Sequence, residues 1–263
     1  MALKQPPAYV EGHDLLAGKS VLITAAAGAG IGFSAAKRAA EEGCRGLMIS
    51  DVHEKRLDQA VTNLQAAHPD ISVYGQLCNV TQEDEVQSLV DAAESKLEGV
   101  DVLINNAGLG GTCSLVEMTD EQWSTVIDVT LTGTMRMMRA MLKVMQPRKS
   151  GVIINNASVL GWRAQIEQTH YAAAKAGVMA LTRCAALEAA EHEVRINAVS
   201  PSIAFHEFLK KTTPMELLEE LAEKEAFGRA AEVWEVANVM MFLASDYSSY
   251  MTGEVVSVSS QHP

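Results

Sequence analysis

The chain has 263 residues, enough for one α/β domain with a full core or two small ones; 48% of them are hydrophobic and only 5% aromatic. That mix suits Ala, Val, Ile and Leu packing between helices and a sheet. A formal charge of −12 argues against nucleic acid and anionic membrane as partners, although local backbone amides can hold an anionic cofactor whatever the net charge.

The four cysteines, Cys44, Cys78, Cys113 and Cys184, stand far apart with no C-x-x-C pair. Free thiols in a reducing cytoplasm are therefore expected, rather than a disulfide or a metal site. No apolar run reaches the ~18–20 residues of a spanning helix. The opening MALKQPPAYVEGHDLLAGK lacks the apolar core of a signal peptide, so a soluble cytoplasmic protein is expected.

Residues 1–17, with Pro6 and Pro7, read as a short arm, either a flexible tail or an inter-subunit contact. From residue 18 the chain reads as one domain to residue 263. SVLITAAAGAGIGFSAAKRAAEEG gives a strand, a glycine turn and a helix stopped by Gly43, with Lys37 and Arg38 expected to face solvent. GLMIS (46–50) is a second strand, followed by a helix through EKRLDQAVTNLQAA. ISVYGQLCNV is a third, and the helix after it opens with Thr81 and Asp84 at capping-box spacing.

VDVLINNAG gives the fourth strand. A helix from about Asp120 continues, with a bend near Gly133, through MRMMRAMLKVMQP. Its Met135, Met137, Met138, Met141 and Met145 are expected in a helix–helix or subunit contact. GVIINNA (151–157) is a buried fifth strand, HYAAAKAGVMALTRCAALEAA a helix, and RINAVSPS a sixth strand ending at Pro201. Residues 203–227 read as a charged helical insertion with Pro214 inside it, and Glu216, Glu219, Glu220, Glu223 and Glu225 on a solvated face. A last helix (AEVWEVANVMMFLAS) and strand (GEVVSVSS) close the chain. Alternation without linker or repeat predicts a single-domain, doubly wound parallel sheet with helices on both faces.

Two stretches carry chemistry. Tyr171 and Lys175, four residues apart, share one helical face. A phenol titrates near about 10 unaided, and a fixed ammonium beside it favours the phenolate. Ser158, delivered from a strand end, could hold a carbonyl oxygen against the same tyrosine. A Y-x-x-x-K pair also arises by chance, so it gains weight only beside a nicotinamide site. The glycine turn supplies one: Gly28, Gly30 and Gly32 let backbone amides approach a pyrophosphate at a helix N-terminus, although a tight βα turn needs glycines without any ligand. Asp51, 19 residues after Gly32, is placed to accept from an adenosine ribose; the other reading is a helix N-cap. A carboxylate there repels a 2′-phosphate and Val52 follows it, so NAD(H) is expected over NADP(H).

The succession of glycine turn, Asp51, Asn105-Asn106-Ala107-Gly108, Ser158, Tyr171 and Lys175 resembles the short-chain dehydrogenase/reductase family, from about Ser20 to the last strand. The resemblance implies a Rossmann-like sheet of seven strands, a homo-oligomer (dimer or tetramer), and interconversion of a secondary alcohol and a ketone. It implies that Tyr171 is the general acid/base, that Lys175 binds the nicotinamide ribose and lowers the tyrosine pKa, and that Ser158 orients the substrate carbonyl. It carries cofactor contacts onto Thr24, Gly28, Gly30, Ile31, Gly32, Asp51, Asn79, Val80, Asn106, Pro201 and Ile203, beside Tyr171 and Lys175.

The sequence departs from the family pattern at several points. The turn, Thr24 to Gly32, is one residue longer and has alanine for its first glycine; Asn79 replaces an aspartate. The asparagine that completes the family's catalytic set falls at Thr130, so the proton relay is expected to be weakened or rewired. Pro201-Ser202 replaces Pro-Gly, His206 stands where a threonine often meets the cofactor, and Ser259-Ser260-Gln261 replaces a glycine pair. The T-A-A-A-G-x-G-I-G turn and P-S-I-A-x-H segment are similar to an actinobacterial branch acting on CoA thioesters of bicyclic fragments in steroid ring degradation. The alternatives are a 3-oxoacyl-thioester or polyol dehydrogenase/reductase, or a catalytically weak NAD-binding regulator. Of the remaining residues, His170 is read as a helix-surface side chain and His206 as either a cofactor contact or a surface histidine. Gln165 and Trp162 are read as pocket lining or an ordinary loop.

Overall fold

The computed structural model describes residues 5–206, 209 and 215–260. In chain order it contains β1 (Ser20–Ile23), α1 (Ile31–Glu41), β2 (Gly46–Asp51), α2 (Glu54–Ala67), β3 (Ser72–Leu77), α3 (Glu83–Leu97) and β4 (Val102–Asn105). There follow α4 (Asp120–Ile127), α5 (Gly133–Arg148), β5 (Gly151–Asn156), α6 (Thr169–Ala190) and β6 (Val194–Pro201). The chain closes with β7 (Ala204–Phe205), α7 (Met215–Lys224), β8 (Ala231–Glu232), α8 (Val233–Ala244) and β9 (Val255–Val258). Seven strands form one sheet in the order β3-β2-β1-β4-β5-β6-β9, with every neighbouring pair parallel. It is the Rossmann-like, doubly wound, single-domain sheet expected from the alternation of elements.

Strands read as continuous apolar runs because both faces are covered. Successive residues point to opposite faces: Val21 and Ile23 join a core with α1 and α8, while Leu22 joins one with α3 and α5. Met137, Met138, Met141 and Met145 fill that second core, against Leu103, Ile153 and Ile196. These four of the five methionines expected in a helix–helix or subunit contact thus pack inside the chain, against its sheet and α3, while Met135 is only partly buried. Between β1 and β4 the strand order reverses, and this topological switch opens a crevice at the strands' carboxyl ends. Among the described residues no helix is long and apolar enough to cross a membrane.

Several local expectations change. Arg38 does not face solvent: it is 3% exposed and pairs at 2.7 Å with Glu42, which is fully buried. The same guanidinium donates to the carbonyls of Val10 and Glu11, and Glu42 accepts from His13 and Leu15 N–H groups. Residues 9–17 are thus tied to α1 rather than hanging as a tail, and the Tyr9 ring meets Trp234 of α8 edge-on at 5.3 Å. Thr81 does not cap α3. Its N–H and hydroxyl donate to Asn79 Oδ1 at 3.1 and 2.9 Å, while the capping box forms at Thr119 and Gln122 of α4. Glu225 leaves the solvated face and accepts from the Ser260 N–H and hydroxyl. Pro214 lies outside the described residues. The helix from Asp120 continues to Arg148 through a π-helical turn, Asp128–Thr132, in place of a simple bend at Gly133.

Candidate active site

The first wall of the crevice is the glycine turn. Ala25 adopts φ +51° and Gly28 φ +143°, so the chain doubles back between β1 and α1 in conformations that only glycine holds without strain at the second position. Gly32 is needed for another reason: a Cβ there would stand 2.4 Å from Asn106 Nδ2 and 2.5 Å from the Ala25 carbonyl oxygen. Among the described residues no side chain caps the N-terminus of α1 at Gly30. Among the described residues its first N–H groups meet no acceptor, and the positive end of the helix lies behind them, which fits a dinucleotide pyrophosphate.

Asp51, the last residue of β2, accepts from Ala27 N–H at 3.2 Å and His53 N–H at 3.1 Å. Burial raises its pKa, while the Ala27 N–H, Arg56 at 3.6 Å and the Val52 N–H favour the carboxylate. Asp51 therefore ties β2 to the turn and remains in the crevice wall. Asn79 and Val80 line the same wall. Thr24 does not: it is 1% exposed, and its hydroxyl accepts from the N–H groups of Asn106 and Ala107 at 3.0 and 3.1 Å. It acts behind the wall, fixing the loop after β4.

The opposite wall carries Ser158, Tyr171 and Lys175. Ser158 follows β5 and accepts from Leu160 N–H at 3.2 Å; α6 presents Tyr171 and Lys175 one turn apart. Burial pushes the Tyr171 phenol up to about 12, against the neighbouring Ser158 hydroxyl, which draws it down. Lys175, 3% exposed, donates to the Asn156 carbonyl, and burial pulls it down to about 8. Its Nζ lies 5.6 Å from the Tyr171 ring centre. The three side chains converge as the spacing predicts, while burial in this state disfavours both charged forms.

Thr130 is fully buried on the π-helical turn. Its hydroxyl accepts from Leu109 N–H at 2.9 Å and donates to Leu109 O at 3.1 Å. Its single proton is committed to the loop after β4, which fits a clip for that loop better than a relay. Gly110 of the clipped loop lies on the Tyr171 ring, where a Cβ would approach to 3.6 Å. His170 is 2% exposed rather than on the helix surface, packed beneath Gly111.

Together these walls enclose a cleft of about 1360 Å³. Gly28, Gly30, Ile31, Gly32, Asp51, Asn106, Ser158, Tyr171, Lys175, Pro201 and Ile203 all line it. Gln165 lines it as well, whereas Trp162 stays exposed outside. His206 reaches over the turn: a Cβ on Gly30 would stand 3.9 Å from its Nδ1, which accepts from Leu209 N–H at 3.2 Å. Burial lowers the His206 pKa. Sequence reasoning missed Arg56, Leu109, Asn156, Leu160, Leu217 and Leu221, which also line the cleft. For Asn156 a signal existed, since paired asparagines close both β4 and β5 and meet in register, Asn105 opposite Asn155.

A parallel sheet with a glycine turn at its switch point and a Ser–Tyr–Lys cluster across the crevice defines a class. The chain belongs to the short-chain dehydrogenase/reductase family and is an NAD(P)-dependent oxidoreductase of the ketoreductase/alcohol dehydrogenase type. A family profile described as enoyl-(acyl carrier protein) reductase matches residues 25–260. The chain is 56% identical, over the whole of both proteins, to the (5R,7aS)-5-hydroxy-7a-methyl-1-oxo-2,3,5,6,7,7a-hexahydro-1H-indene-carboxyl-CoA reductase of Mycobacterium tuberculosis. It is 36% identical to a 3-oxoacyl-[acyl-carrier-protein] reductase of Thermotoga maritima, covering 92% of this chain and 97% of the relative. Its fold is similar to the crystal structure of a short chain dehydrogenase from Mycobacterium smegmatis, with TM-score 0.88 and 54% identity over 98% of this chain and 99% of that one.

Proposed function

We propose that this chain reduces a ketone to a secondary alcohol with NADH, on a bicyclic CoA thioester of the kind named for its M. tuberculosis relative. The observation that carries the reading is the Ser158–Tyr171–Lys175 cluster, seated in one cleft with the Asp51 wall and the uncapped end of α1. When bound, a reduced nicotinamide supplies hydride to the carbonyl carbon. Ser158 holds the carbonyl oxygen, and the Tyr171 phenol, protonated at neutral pH and kept so by burial, donates a proton to that oxygen. Lys175 is charged below about pH 8 and favours the phenolate left behind. Thr130 and Thr24 act indirectly by fixing the loop after β4 against the tyrosine ring.

Asp51 supports NAD(H) over NADP(H), since its carboxylate would face a 2′-phosphate across the cleft. Arg56 is already drawn to Asp51 and half-exposed. His206 is read as closing over the turn. The insertion at 203–227 is read as the substrate cover, with Leu217 and Leu221 lining the cleft beside Leu109, Leu160 and Ile203. Such apolar lining suits a hydrocarbon ring system better than a polyol.

The second reading is reduction of simple 3-oxoacyl thioesters, favoured by the likeness to the T. maritima enzyme. A regulator without turnover is opposed by the intact Ser–Tyr–Lys cluster. NADH absorbance, followed against the bicyclic thioester, 3-oxoacyl-CoA and polyols, separates the readings. Selective consumption with the bicyclic thioester is expected; turnover of simple 3-oxoacyl-CoA alone would move the substrate to the second reading.

A further inference from the structure

Asn156 ends β5 at the cleft, and one polar atom of its side chain lacks a partner: Oδ1 is sealed from solvent and meets no hydrogen-bond donor among the described residues. The orientation of this amide is dictated by its neighbours. The Ala25 carbonyl can only accept, so the end of Asn106 that meets it at 3.0 Å is Nδ2 and the far end is oxygen. That oxygen lies 3.0 Å from the Asn156 amide, so the Asn156 end facing it is Nδ2. The direction of Asn156 Oδ1 thus follows from a main-chain carbonyl in the glycine turn. Buried amide oxygens rarely stay unpaired, because desolvation without a hydrogen bond is unfavourable.

Lys175 is the donor with capacity to spare. Its ammonium has three N–H groups, and one goes to the backbone carbonyl of Asn156 itself. On the other side Gly108 packs close, where a Cβ would stand 3.3 Å from Nζ, and Thr130 beyond it has committed its hydroxyl to Leu109. We infer that Asn156 is a positioning residue for Lys175. Its backbone carbonyl holds the lysine ammonium directly, its Oδ1 holds it through one water, and its Nδ2 ties that hold through Asn106 to Ala25 in the glycine turn. The amide function at the lysine end of the site then comes from β5, not from the Thr130 position. The inference rests on the role given to Lys175 above.

An acceptor beside a buried ammonium favours its charged form, so removing the acceptor lowers the lysine pKa. The test follows the Lys175 titration by Cε–Nζ correlated NMR on lysine-labelled protein, with the signal assigned by its loss in Lys175→Arg. In Asn156→Leu, close to the same shape, the midpoint is expected to fall by about one pH unit. In Asn156→Asp, which keeps Oδ1 and adds charge, it is expected to rise, and in Thr130→Val to stay in place. A midpoint unmoved in folded Asn156→Leu, or in Asn156→Asp should the leucine variant not fold, overturns the inference. NADH turnover by Tyr171→Phe judges the active-site reading separately: wild-type turnover there sinks that reading while the lysine titration still reports on Asn156.

Discussion

Thr130 Oγ1 and the backbone of Leu109 exchange two hydrogen bonds, one received at 2.9 Å and one given at 3.1 Å. This reciprocal clip fastens the π-helical turn to the loop that carries Gly110 onto the Tyr171 ring. A threonine is well suited to it, because one hydroxyl serves as both donor and acceptor in a site with no exposed surface.

Thr130→Asn is therefore expected to lower turnover, by about tenfold, because the longer amide must displace Leu109 and with it the seat of the tyrosine ring. Steady-state kcat for the two proteins decides it. A gain in kcat would show that the threonine had weakened a relay.

The pKa directions fix the sign of a stability change. Lys175 titrates near 8 in the fold against an ordinary 10.5. Between those values the unfolded chain holds more protons than the folded one, so wild-type stability rises with pH across that window and the Lys175 penalty, about 1–3 kcal/mol, is present in full below it. A Lys175→Met variant has no such penalty. Its stability relative to wild type should therefore decline as pH is raised from about 8 to about 10.5, as read by urea unfolding. A difference independent of pH would contradict the assignment of a depressed lysine.

Asp51→Ser should relax cofactor choice. Removing the carboxylate frees Arg56, 3.6 Å away, to meet a 2′-phosphate. The ratio of kcat/KM with NADPH to that with NADH is expected to rise by about tenfold. An unchanged ratio would remove Asp51 from the account of cofactor preference.

The buried Arg38–Glu42 pair should dominate the attachment of residues 9–17. Arg38→Ala leaves Glu42 charged and fully buried, and a loss of about 3–5 kcal/mol is expected in chemical unfolding. A loss below about 1 kcal/mol would mean that the pair behaves like a surface ion pair.

How legible each feature was in the sequence follows from its physical origin. Strand and helix order, the switch-point turn and the meeting of Ser158, Tyr171 and Lys175 depend on local periodicity and spacing, and these were readable. The burial of Arg38 depends on Val10 and Glu11, that of Glu225 on Ser260, and that of His170 on Gly111. Each partner is distant in sequence or set by a loop, so polarity alone pointed to solvent. The methionines of α5 left a helix–helix and a subunit contact open because a helix packed on its own sheet and on α3 shows the same spacing as one at an interface. Thr24 was readable as part of the turn, but only its bonds to Asn106 and Ala107 show that it works from behind.

The central claim is that the Tyr171 phenol delivers the proton that accompanies reduction. Its most direct test compares NADH consumption by wild type and Tyr171→Phe on the bicyclic CoA thioester, with NADH affinity measured on both by fluorescence titration. The account predicts turnover lowered by about 100-fold or more, with NADH affinity close to that of wild type. Turnover within a few-fold of wild type, at equal NADH affinity, would contradict it.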